Sequence, residues 1–170
     1  MGGFSLTLFP ALRLSYVVYP KSFLGVAKSI AKSEMAMSTA LQPALADFIA
    51  NDHYISHIRN MRKSYQRRER FLVEYLTAHL EPDFVISGVG GGTNIVLNMP
   101  TEISDVKLSQ SLANENIIAY SIPSYYLGKT ENPNPRNALI LGFACSSRAQ
   151  LEKSAAILVK TIRCSGSKLS

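Results

Sequence analysis

The sequence predicts an α/β to α+β chain in which a long amphipathic helix leads into a small, mostly antiparallel sheet covered by two helices. Three observations predict it. The apolar run LSYVVY at residues 14–19 ends at Pro20 and reads as a buried strand of the kind found inside α/β sheets. From Asp52 to Pro82, apolar residues recur at Ile58, Met61, Tyr65, Leu72, Leu76 and Leu80, one continuous helical face over several turns. Beyond Pro82 the pattern changes to short β-branched runs alternating with helical ones, which suits a two-layer α+β unit.

Each element follows in order. The strand is entered through a loop carrying Pro10, and a short helix is expected from Lys21 to Ser33. A second runs from Thr39 to Ala50, with Pro43 in its first turn, where a missing N–H does no harm. Asp52 is placed to cap the long helix, which keeps an Arg-rich side in water and is read as a bridge between two structural layers. Phe84–Val89 and Thr93–Met99 form a hairpin around the Gly88–Gly92 cluster. A helix follows from Ser104 to Asn114, then a third strand at Ile117–Ile122 and a fourth at Ala138–Ala144. Ser147 and Gln150 make a capping box for the last helix, which repeats Leu151, Ala155, Leu158 and Ile162 on one face. Residues 83–162 thus read as one compact unit, and the segment before Glu81 as part of something larger.

Composition narrows the function classes. A chain of 170 residues, 46% hydrophobic and 18% charged, is globular rather than disordered. Cys145 and Cys164 are too few to staple a fold, which suits reduced thiols in the cytoplasm. Pro10 and Arg13 interrupt the apolar start, so neither a signal peptide nor a membrane span is expected. His53 and His57 stand at i and i+4, yet no Glu follows His53 and no third ligand is evident, so these and His79 read as surface histidines and no metal site is expected. The Gly88–Gly92 cluster lacks the Lys-Ser/Thr of a phosphate loop and reads as a turn. Most of the net charge of +6 lies on the long helix, where Arg59, Arg62, Lys63, Arg67, Arg68 and Arg70 face only Glu69 and Glu74. A solvated face is the default for such a run, and backbone binding to nucleic acid is the alternative.

One string carries more than periodicity does. GFSLTLFPALRLSY at residues 3–16 resembles the stretch around the cofactor lysine of MocR-type (GntR-family) transcriptional regulators, whose usual form ends in Ser-Lys followed by TLFPALRLGY. The resemblance continues through ALADFIANDHYISHIRNMRKSYQRRERFL and through ALILGFA near the end. It implies the C-terminal part of a fold-type I, pyridoxal-phosphate-dependent aminotransferase domain. Residues 1–52 would be a remnant of the large cofactor domain, 53–80 the long interdomain helix, and 81–170 the small C-terminal α+β domain.

The resemblance also assigns positions. Leu6 stands where the family carries the lysine that binds pyridoxal phosphate covalently, and leucine has no amine to do so. Gly3 stands where a Ser or Thr hydroxyl binds the cofactor phosphate, and Ser15 replaces a glycine. Ser5 and Arg13 are the cofactor-binding positions that remain, a guanidinium fork being well matched to a phosphate. Ile140 occupies the place of the arginine that clamps a substrate carboxylate, for which Arg136 is the nearby substitute. Tyr125 and Tyr126 fall in a loop near the active-site mouth of relatives. The implied partners are a second copy of the chain in a homodimer, a small amino-acid or vitamer effector, and DNA through a winged-helix domain that would precede Met1. The reading is an effector domain of a regulator, not an enzyme by itself. A piece of an active aminotransferase acting on an amino acid, or a truncated interaction or oligomerisation domain, stays open.

Overall fold

The computed structural model describes residues 2–5, 7–33, 40–122 and 137–166. The chain forms two compact units, residues 1–61 and residues 62–170.

In the first unit, β1 (Gly2–Gly3) pairs antiparallel with β2 (Ser15–Tyr16), Gly2 opposite Tyr16 and Gly3 opposite Ser15. The segment between them folds back on itself. Phe4 N–H donates to the Leu14 carbonyl (2.9 Å), Leu8 N–H donates to the Phe4 carbonyl (2.9 Å), and a 3-10 turn at Pro10–Leu12 follows. A Cβ on Gly2 would stand 2.6 Å from the tip of the exposed Tyr16 side chain, so a substitution there requires that ring to swing aside. Leu12 and Leu14 are buried.

The expected buried strand is overturned. β-Structure is confined to Ser15–Tyr16, and Tyr16, Val17, Val18 and Tyr19 are all exposed, Val18 by 78%. A strand is buried by neighbours along both edges and by a layer on each face. Among the described residues only the two residues of β1 pair with this run.

A 3-10 turn at Lys21–Phe23 runs into α1 (Leu24–Ser33), and α2 (Leu41–Ala50) carries Pro43 in its first turn, as the sequence requires. The long helix is α3 (His53–His79). Asp52 precedes it with φ 61°, not in the extended conformation of a side-chain cap. Its carbonyl instead accepts the Ser56 N–H (3.1 Å), so the backbone starts the helix.

The second unit is built on a four-stranded sheet in the order β3 (Val85–Ser87), β4 (Asn94–Asn98), β6 (Ala138–Gly142), β5 (Tyr120–Ser121), every pair antiparallel. Ile95 opposes Leu141 and Leu97 opposes Leu139, all buried on one face; Val96, Ile140 and Tyr120 line the other. The buried face packs against α4 (Asp105–Asn114), α5 (Arg148–Gly166) and the C-terminal half of α3 through Leu72, Leu76, Leu108, Leu112, Leu151 and Leu158. Leu76, Leu112 and Phe143 are wholly inaccessible.

The third strand is shorter than expected. Only Tyr120–Ser121 pair with β6, and Ile118 is 75% exposed. Ile117 spends its N–H on the Leu112 carbonyl (2.9 Å), which ties this stretch to the end of α4. The hairpin between β3 and β4 turns through Gly88 (φ 77°) and Gly90 (φ 79°), a conformation that glycine adopts without strain. The Gly90 N–H donates to the buried Glu69 carboxylate of α3 (2.7 Å). Asn137 knits β6 to the start of α4: its amide donates to the Pro100 and Ile103 carbonyls and accepts from the Asp105 N–H (3.0 Å). Ser147 and Gln150 close the capping box of α5 reciprocally, at 2.8 and 3.3 Å. Among the described residues no helix is long and apolar enough to cross a membrane.

Candidate functional site

The first unit holds the loop on which the sequence concentrates its chemistry. Turn formation at Phe4–Leu8 follows from local hydrogen bonds: the Thr7 N–H (3.2 Å) and the Thr7 hydroxyl (3.1 Å) both donate to the Phe4 carbonyl. Helix α3 then reaches this turn with two side chains one helical turn apart. Tyr54 donates its hydroxyl to Thr7 Oγ1 (3.1 Å), and His57 Nε2–H donates to the Thr7 carbonyl (3.1 Å). The Phe4 ring packs between Tyr16 (centroids 5.5 Å) and Tyr54 (5.7 Å).

Thr7, the residue that follows position 6 in the sequence, is thus held by four hydrogen bonds. Leu6 itself lies outside the described residues, as do Arg136, Tyr125 and Tyr126. Ser5 is half-buried in the turn, and Arg13 is exposed at the end of the 3-10 turn with φ 51°, ψ 29°. Nothing lies within 4 Å of where a Cβ on Gly3 would stand, so a hydroxyl-bearing side chain would have room there. Ile140 is half-buried on the face of the sheet opposite the core.

The donor set does not fit a covalently held pyridoxal phosphate. Position 6 brings no amine and position 3 no hydroxyl. Ser5 and Arg13 remain on this loop as groups able to hydrogen-bond a phosphate, but without an amine at position 6 the covalent anchor is lost.

The reading of His57 is corrected by the structure. It is no bystander, since its ring is half-buried and bonded to Thr7, whereas His53 and His79 are exposed, His79 stacking on Tyr75 (4.2 Å) and bonded to the Tyr75 carbonyl (2.8 Å). The signal for His57 was its one-turn spacing from Tyr54, which puts both on one helix face. Arg68 also leaves the basic face, donating to the Ala144 carbonyl. Among the described residues no group of three or more His, Cys, Asp or Glu is placed to hold a metal ion.

Comparisons with known proteins bear on the same segments. The sequence pattern of the family described as aminotransferase class I and II matches residues 7–158. The HTH-type transcriptional regulator YhdI of Bacillus subtilis is 27% identical over 144 residues, which cover 84% of this chain and 30% of that protein. The probable rhizopine catabolism regulatory protein MocR of Rhizobium meliloti is 28% identical, over 85% of this chain and 29% of its own. In structure the chain is similar to LysN, an α-aminoadipate aminotransferase of Thermus thermophilus solved with N-(5'-phosphopyridoxyl)-L-leucine, with a TM-score of 0.80, 16% identity, and cover of 98% of this chain and 42% of that one. The fold is thus that of fold-type I aminotransferases, and the chain spans less than half the length of each of these proteins.

Proposed function

We propose, for a chain that belongs to the aminotransferase class I and II family, that it works as the aminotransferase-like effector portion of a bacterial transcriptional regulator of the MocR kind and does not transaminate by itself. The observation that carries the regulator half is the match to two regulators across 84% and 85% of the chain, at higher identity than the match to LysN. Leu6 in place of an amine supports the non-catalytic half.

In this reading residues 1–52 correspond to the end of a cofactor domain, α3 to the interdomain helix, and residues 81–170 to the small domain. Ser5 and Arg13 contribute phosphate contacts, while Tyr54 and His57 hold Thr7. Arg136 is the candidate for a ligand carboxylate. DNA recognition belongs to a helix-turn-helix domain of the type that YhdI's name gives it, the ligand is a small amino acid or vitamer, and the setting is a cytoplasmic homodimer.

The test is chemical trapping. The wild-type chain is incubated with pyridoxal phosphate, reduced with borohydride and digested, and no pyridoxyl adduct is expected on residue 6 itself when the adduct is localised by fragmentation. Leu6→Lys should acquire one. Conversion of pyridoxal phosphate to pyridoxamine phosphate by the wild-type chain with an amino acid would overturn the non-catalytic reading. An adduct on L6K accompanied by turnover would favour the second reading, part of a working aminotransferase, which the likeness to LysN supports.

A further inference from the structure

The basic side of the second unit has a geometry that the effector reading does not use. Lys63, Arg67 and Arg70 of α3 line an open concavity of about 450 Å³ together with Gln66, Phe71, Glu74 and Arg148 of α5. The three cations stand at i, i+4 and i+7, hence on one face and about 6 and 4.5 Å apart along the axis. Arg148 enters from the start of α5 and is held there, its guanidinium 3.4 Å above the centre of the Phe71 ring. Glu74 is the one acidic residue among the lining groups.

We infer that Lys63, Arg67, Arg70 and Arg148 form a sequence-independent contact for the phosphate backbone of duplex nucleic acid. Three features select that ligand. A site for one small anion buries most of it among convergent donors, whereas all four cations here are exposed. A single strand would need an open aromatic face for its bases, and the face of Phe71 is taken by Arg148. A row of exposed cations gains instead by releasing counterions from a polyanion, a gain that adds along the row. The contact stands on this charge geometry and needs neither the pyridoxal reading nor any other domain.

Fluorescence anisotropy of the whole chain with labelled 20-bp duplexes of two unrelated sequences, from 50 to 200 mM KCl, tests it. Both duplexes should bind alike, with log K falling against log salt at a slope of about −3 to −4 for four phosphate contacts. The triple variant Lys63→Gln, Arg67→Gln, Arg70→Gln should bind at least ~10-fold more weakly at 100 mM and with a flatter slope. Glutamine preserves helix propensity, and circular dichroism checks that α3 remains. Arg148→Gln should flatten the slope by about 0.9 on its own. Lys107→Gln, Lys153→Gln, Lys160→Gln removes equal charge from exposed positions elsewhere in the unit and should leave affinity within about twofold, in keeping with a local rather than a net-charge effect. No binding at 50 mM, equal losses in the two triple variants, or displacement by inorganic triphosphate at an equal phosphate concentration would each overturn the contact. Failure here with a normal trapping result on L6K leaves the effector reading in place.

Discussion

Asn137 shows how much one side chain can organise. Its amide serves two loop carbonyls and the first N–H of α4, while its own carbonyl accepts the Met99 N–H (2.9 Å). Removing the side chain takes the partner from the Ile103 carbonyl and the Asp105 N–H, while the Pro100 carbonyl keeps the Ile103 N–H, and unmade bonds are the costly side of hydrogen bonding. Asn137→Ala should lose about 2–3 kcal/mol in urea denaturation, and a loss below about 1 kcal/mol would show that water takes over these bonds. Nothing in the sequence marked Asn137, because an asparagine beside a strand has the same local pattern whether it is a bracket or a solvated turn. Arg13 and Leu6 were singled out the other way, from a residue string, and the roles proposed for them are invisible to periodicity. His57 fell between: its spacing from Tyr54 was readable, but its bond to Thr7 joins residues fifty apart in the chain.

Among elements, legibility followed how local the determining contacts are. The capping box at Ser147 and Gln150 was readable because both partners lie within one turn, and the 3.6-residue stripe of α3 continues directly into the core residues Leu72 and Leu76. Ser147→Ala should cost about 1 kcal/mol in the same urea assay, and restoring Asp there should recover most of it. Strand readings fared less well. LSYVVY has the composition of a buried strand, but burial depends on which chain segments lie alongside, and that information is not in the run itself. The hairpin of β3 and β4 was legible since its glycines announce the turn, whereas the carboxylate of Glu69 that pins Gly90 comes from α3, twenty-one residues earlier.

At the scale of the molecule, buried apolar side chains are shared very unequally. The continuous core belongs to the second unit, while Leu12 and Leu14 are the buried hydrophobics described in the first. Hydrophobic burial is the dominant favourable term in folding, so the two units rest on very different amounts of it. The stretch from Tyr16 to Tyr19 has a consequence for handling the protein in solution. An exposed β-branched and aromatic run beside a two-residue strand is an open template for another chain, and such edges drive self-association unless charge interrupts them. Val18→Lys, a gatekeeper at its most exposed position, should lower light scattering on concentration without changing the unfolding midpoint. Equal scattering from both proteins would place the stickiness elsewhere. If the run is responsible, colloidal behaviour and conformational stability are separate properties here, set by different residues and open to adjustment one at a time.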